Sequence, residues 1–163
     1  AIAPYPNADG KVSFEQILAQ RKWLTYFGGL TAGRQNFEYE QRARLLSPDY
    51  TPDDHAADAN IGASLIQLLP GLTQLDYRGV SRIECPVFLM AGRRDFATPS
   101  EIAAEWFEKL EAPTKRLFWF ERSAHMMQFE QPGKLFLHLV RDIRPLAERV
   151  GDAAPPDRPG VDK

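Results

Sequence analysis

No Gly-x-Ser-x-Gly turn, the motif that presents a nucleophilic serine, occurs anywhere in the 163 residues. The chain therefore carries no recognisable elbow of its own. One cysteine, Cys85, excludes an internal disulfide. With only three histidines beside it, the chain has no zinc-ligand spacing, and no metal or organic cofactor is expected. Positive charge is not in excess. The net charge is −2 and the isoelectric point about 6.0, with no basic patch interleaved with aromatics, so nothing points to nucleic acid. No apolar run approaches the roughly 18 residues of a membrane span. Internal repeats are absent too. The chain starts at Ala1 without an initiator Met, so a missing leader says little about compartment; a cytoplasmic location is the expectation.

What is present has the composition of a globular domain, 44% hydrophobic and 26% charged, in three textures. Residues 1–82 open on a Pro/Asn/Asp/Gly-rich loop and then read as helical, without a convincing strand. Ser13-Phe14-Glu15-Gln16 has the form of a capping box, and Gly28-Gly29 stops the helix it starts. Thr51-Pro52-Asp53-Asp54 starts another, and Ile61, Leu65, Leu68, Leu69 and Leu72 recur at helical spacing up to Pro70 and beyond. Residues 83–149 alternate. Val87–Ala91 is a short continuous apolar run, as in a strand buried on both faces of a parallel sheet. Thr98-Pro99-Ser100-Glu101 caps a helix, residues 116–120 form a second strand, and Leu135, Leu139, Val140 and Ile143 mark one face of a last helix. Residues 150–163, with Pro155-Pro156 and Pro159-Gly160, read as a disordered tail. Two parallel strands expose a bare edge and bury too little surface, so the rest of the sheet has to come from elsewhere.

The chemistry sits on the two loops that follow the strands. Asp95 comes just after the first strand, in Gly92-Arg93-Arg94-Asp95, where open parallel sheets build their sites. His125 follows the second strand, 30 residues later, in Ser123-Ala124-His125. An Asp there can fix the tautomer of an imidazole and stabilise its protonated form, and the imidazole can shuttle a proton. His138 lies among leucines as a surface or core-edge residue. His55 sits in an acidic first turn, facing solvent. Glu121 and Glu130, near His125, read as surface or packing groups. Trp23, Tyr26 and Phe27 fall at i, i+3 and i+4, a spacing that suits core or, as a second reading, a pocket wall. Phe37-Glu38-Tyr39-Glu40 is an exposed acidic turn or a site for a cationic amino group. Trp23, Tyr26 and Glu38 are the candidate substrate contacts.

The run Val87–Asp95 with Thr98-Pro99, then Ala124-His125 and Glu130-Gln131-Pro132, resembles the C-terminal part of the α/β-hydrolase fold. Ala124 stands where Gly is commonest. Residues 1–82 resemble the helical cap inserted before the acid strand, in texture most like the prolyl-iminopeptidase group, and 83–149 the end of the core. The resemblance implies Asp95 and His125 as the acid and base of a serine-type peptidase or esterase. The nucleophile and oxyanion loop would lie on a separate N-terminal half, the partner that completes the sheet, and the substrate would be a small molecule or short peptide. None of the six serines fits the nucleophile. Two alternatives remain: an epoxide or haloalkane hydrolase with an Asp nucleophile, and a non-catalytic binding protein that keeps the fold.

Overall fold

The computed structural model describes residues 12–51, 53–54, 61–72 and 74–153. The expectations for His55, for the opening loop up to residue 11 and for residues 154–163 fall outside them. The described N-terminal part is helical: α1 (Phe14–Tyr26), α2 (Glu38–Arg44) and α3 (Ile61–Leu72). Ser13 closes the capping box on α1 in both directions, its hydroxyl accepting from the Gln16 N–H and its own N–H donating to Gln16 Oε1. Gly28, at φ 74°, lets the chain leave α1 in the left-handed conformation that other residues avoid. Thr51 and Asp54 bond each other's backbone N–H, as a helix start requires, and Asp53 and Asp54 are helical. Pro70 lies inside α3, which runs two residues further.

The C-terminal part is β1 (Val87–Gly92), α4 (Ser100–Lys109), β2 (Lys115–Phe120), α5 (Met127–Glu130), α6 (Pro132–His138), a wider π-helical turn (Leu139–Ile143) and α7 (Arg144–Arg149). The strands are parallel and in register from Val87↔Lys115 to Gly92↔Phe120, with an isolated bridge between Arg82 and Glu111 prolonging the ladder. Ala91, Ala104, Phe107, Leu110, Phe118 and Phe120 are buried; α4 packs against β1, and the ring of His138 at the end of α6 covers Phe118. Lys115 Nζ caps the end of α4 by donating to the carbonyls of Phe107 and Glu108. The π-helical turn precedes Pro145, whose missing N–H and bulky ring an ordinary α-helical turn would not accommodate.

Three sequence expectations need correction. Val87–Met90 is half-buried, not buried on both faces, because among the described residues β1 has one neighbouring strand and its other edge is bare. Trp23, Tyr26 and Phe27 do not enter a core. They stack on one another and stay about half or more exposed, since no described element covers that side of α1. On the last helix, Leu139 and Val140 are exposed; the side toward β2 carries His138, its ring stacked on Phe118 at 3.9 Å. No helix among the described residues is long and apolar enough to cross a membrane.

Candidate active site

β1 ends at Gly92, and the chain turns at once. The Asp95 N–H donates to the Gly92 carbonyl, and the Arg94 N–H to the Ser123 carbonyl across from it. Gly92 is obligatory here: a Cβ would stand 1.9 Å from the Ala124 carbonyl oxygen. This close approach draws the two post-strand loops together. It brings the His125 Nδ1 to 3.0 Å from Asp95 Oδ2.

Asp95 is buried, 5% exposed, and its carboxylate is fully engaged. Oδ1 accepts the N–H groups of Ala97 (2.9 Å) and Thr98 (3.0 Å), and Oδ2 accepts the Thr98 hydroxyl (3.1 Å) beside the imidazole. Burial pushes the Asp95 carboxyl up, but the His125 and Thr98 hydrogen bonds and the imidazole's charge together outweigh it and hold the group below its ordinary value. Asp95 is therefore an anion, as an imidazole-orienting group must be. His125 presents Nδ1 to this anion, and Nε2 has no hydrogen-bond partner among the described residues. With Nδ1 the donor, Nε2 carries the free lone pair and can accept a proton.

Thr98 departs from expectation. It does not cap α4, whose N-cap is Pro99 without a side-chain bond. Its hydroxyl lies 3.1 Å from Asp95 Oδ2 and 3.2 Å from His125 Nδ1, touching both groups. The Thr-Pro step after Asp95 was the available signal, overridden by its likeness to a helix cap.

Glu130 and Gln131 fix the histidine loop from below. Glu130 Oε2 accepts the Ala124 N–H at 2.9 Å, while Oε1 accepts the Ala32 N–H. Gln131 Oε1 accepts the Arg122 N–H and the hydroxyl of fully buried Ser123. The segment after α1 is thereby clasped to both loops: the His125 N–H donates to the Leu30 carbonyl, and the Phe96 N–H to that of Gly29. Glu130 is thus a packing group with a definite task, and Glu121 a surface group paired with Arg93.

The candidate substrate contacts are spread out. Trp23 is about half exposed on α1. Glu38 makes a long surface pair with Arg42 at 3.9 Å. Glu40, read with it as part of an exposed acidic turn, is instead buried, 3% exposed, with Oε1 on Arg34 and Oε2 buried without a partner among the described residues. Tyr26 borders an open cleft of about 770 Å³ shared with Arg94 and Phe96. A larger one, about 1070 Å³, lies on the bare side of β1, between Asp95 and Thr98 on one wall and residues 74–83 on the other. His138 is occupied elsewhere, 2.8 Å from Asp142. No group of three or more His, Cys, Asp or Glu among the described residues could hold a metal.

This arrangement has counterparts. An esterase from Exiguobacterium antarcticum, an α/β-hydrolase, superposes with a TM-score of 0.52 at 25% identity, over 77% of this chain and 44% of the esterase. The small parallel sheet with its helices is accordingly a partial α/β fold, similar to part of that esterase. A probable aminopeptidase, YbaC of Bacillus subtilis (strain 168), is 37% identical over 68 residues, 42% of this chain. That match spans about a fifth of the aminopeptidase, and the chain spans less than half of the esterase. No family model matches the chain. Both likenesses are to hydrolases.

Proposed function

We propose that this chain is the cap (1–82) and the closing part of the core (83–149) of a serine-type α/β-hydrolase, a peptidase or esterase of small or short-peptide substrates. The N-terminal half, carrying the nucleophile, the oxyanion donors and the remaining strands, makes up the assembled protein. The observation that carries the reading is the 3.0 Å contact of buried, anionic Asp95 with His125 Nδ1, which leaves Nε2 free to face a nucleophile. The likeness to an aminopeptidase and an esterase supports the reaction class. The bare edge of β1 supports the missing half.

In this mechanism His125 Nε2 takes the proton of the serine hydroxyl as its oxygen attacks the substrate carbonyl. Asp95 stabilises the imidazolium so formed. The imidazolium gives the proton to the departing amine or alcohol, leaving an acyl-enzyme. His125 then takes a proton from water, whose oxygen attacks the ester, and returns it to the serine as the acid leaves.

The test uses the assembled protein with a small activated ester and a fluorophosphonate label. The expected result is labelling of one serine outside residues 1–163, with His125→Ala lowering kcat by several orders of magnitude and the melting temperature little changed. Full activity in folded His125→Ala would sink the assignment. An unlabelled protein that opens epoxides or displaces halide would place an Asp at the elbow, and absence of all hydrolysis would favour a binding protein.

A further inference from the structure

The cleft of about 770 Å³ lies between the segment leaving α1 and the loop that carries Asp95. Its composition is unbalanced in a way that specifies a ligand. Two arginines, Arg34 and Arg94, line it with Asn36 and the rings of Tyr26, Phe27 and Phe96, and among the described residues no carboxylate does. The two arginines are not equivalent. Arg34 is neutralised by Glu40 at 2.5 Å and stacks on Tyr39, its Cζ 4.1 Å from the ring centroid. Arg94 uses its backbone N–H on the Ser123 carbonyl, and its side chain makes no ion pair or hydrogen bond among the described residues. The cleft thus holds one uncompensated positive charge. Its three rings are 51%, 78% and 59% exposed, apolar surface that a ligand would remove from water.

We propose that this cleft binds the free carboxylate of a substrate whose neighbouring group is aromatic or apolar, such as the C-terminal residue of a short peptide. A carboxylate matches the planar fork of a guanidinium in two parallel hydrogen bonds, and its single charge matches the single unpaired cation. A phosphate dianion would leave net negative charge against the rings. The position suits selection: Arg94 and Phe96 flank Asp95 in the chain, so a ligand held there is anchored to the loop that orients His125. This proposal rests on the hydrolase reading for its substrate, but not for its binding chemistry.

Two measurements on the assembled protein separate the questions. The first is the binding of 3-phenylpropionate and 3-phenylpropanamide, followed by NMR titration, in wild type, Arg94→Gln and Arg94→Lys. The carboxylate should bind about tenfold or more tighter than the amide in wild type, as a charge-assisted hydrogen bond predicts. Arg94→Gln should abolish that preference, Arg94→Lys should keep part of it, and melting temperatures should stay together. Equal affinities in wild type, or a preference intact in Arg94→Gln, overturn the proposal. The second is the ratio of kcat/KM for a dipeptide ending in phenylalanine to that for its C-terminal amide. The ratio should exceed one in wild type and collapse in Arg94→Gln. Hydrolysis of both without discrimination would refute the cleft and leave the hydrolase reading standing. Carboxylate-selective, Arg94-dependent binding with no hydrolysis would do the reverse.

Discussion

Asp95 and Asp142 are both aspartates against a histidine Nδ1, at 3.0 and 2.8 Å, and they are expected to answer the same substitution differently. Asp95→Asn keeps the volume but presents an amide to the imidazole, favouring the wrong tautomer and removing the counter-charge. In the assembled protein kcat should fall by about 10⁴, as in a comparable triad. Asp142 instead joins His138 and Arg116 on the outer side of β2. Asp142→Asn should lower the melting temperature only slightly and leave kcat near wild type, read by melting curves beside ester hydrolysis. A large kcat loss in folded Asp142→Asn would contradict this division. The pH response follows from the same groups. Burial works against Asp95, but its hydrogen bonds prevail; the His138 bond, then Arg116, depress Asp142; both carboxyls end below the ordinary 3.8. As pH falls the unfolded chain takes up protons first, so their stabilisation is full above 3.8 and is lost as pH drops through the lower folded values. Acid titration of the melting temperature should show its loss there, and Asp95→Asn should show a shallower one.

At the scale of elements, Gly92 decides whether the two loops meet. Gly92→Ala puts a methyl group into the Ala124 carbonyl and 2.9 Å from the Ser123 carbonyl oxygen, backbone atoms rather than the far end of a flexible side chain. The variant should lose more than the about 1–3 kcal/mol usual for overpacking, and its His125 should no longer meet Asp95. A melting curve and the disappearance of a low-field Nδ1 proton signal would register both; unchanged values for both would count against the close approach. These elements also show how far the sequence could be read. The capping box on α1, the strands, α4 and the Asp/His pairing of loops were all legible, because each rests on local pattern or on a spacing that parallel topology constrains. Thr98, Glu40 and the task of Glu130 were not. Thr98 and Glu130 reach partners 27 and 98 residues away, and Glu40, in the first turn of α2, pairs with Arg34 in the loop before it; no periodicity records such contacts. The exposed aromatic stripe on α1 misled for a similar reason: helical spacing says which residues share a face, not whether anything covers it.

At the scale of the whole molecule, the bare edge of β1 and the open cleft beside it are surfaces that a finished sheet would cover. Residues 1–163 expressed alone should be aggregated, or compact but loosely packed, binding a dye such as ANS and unfolding without a sharp transition. A monodisperse, cooperatively unfolding monomer would argue against a missing half.

The clasp made by Glu130 gives this molecule a timetable. Its two acceptor oxygens join Ala124, six residues away, to Ala32, 98 residues away. Closing so long a loop carries an entropic cost before any contact compensates it, whereas β1, α4 and β2 can assemble from neighbours. The His125 loop should therefore reach its working alignment late, after the strands beneath it have paired. In a ribosome-bound chain, Ala32 must wait for nearly a hundred more residues before its amide finds a partner. Refolding followed at Ala32 and at Val87, whose N–H donates across the strand pair to the Thr114 carbonyl, should show the strand amide protected first.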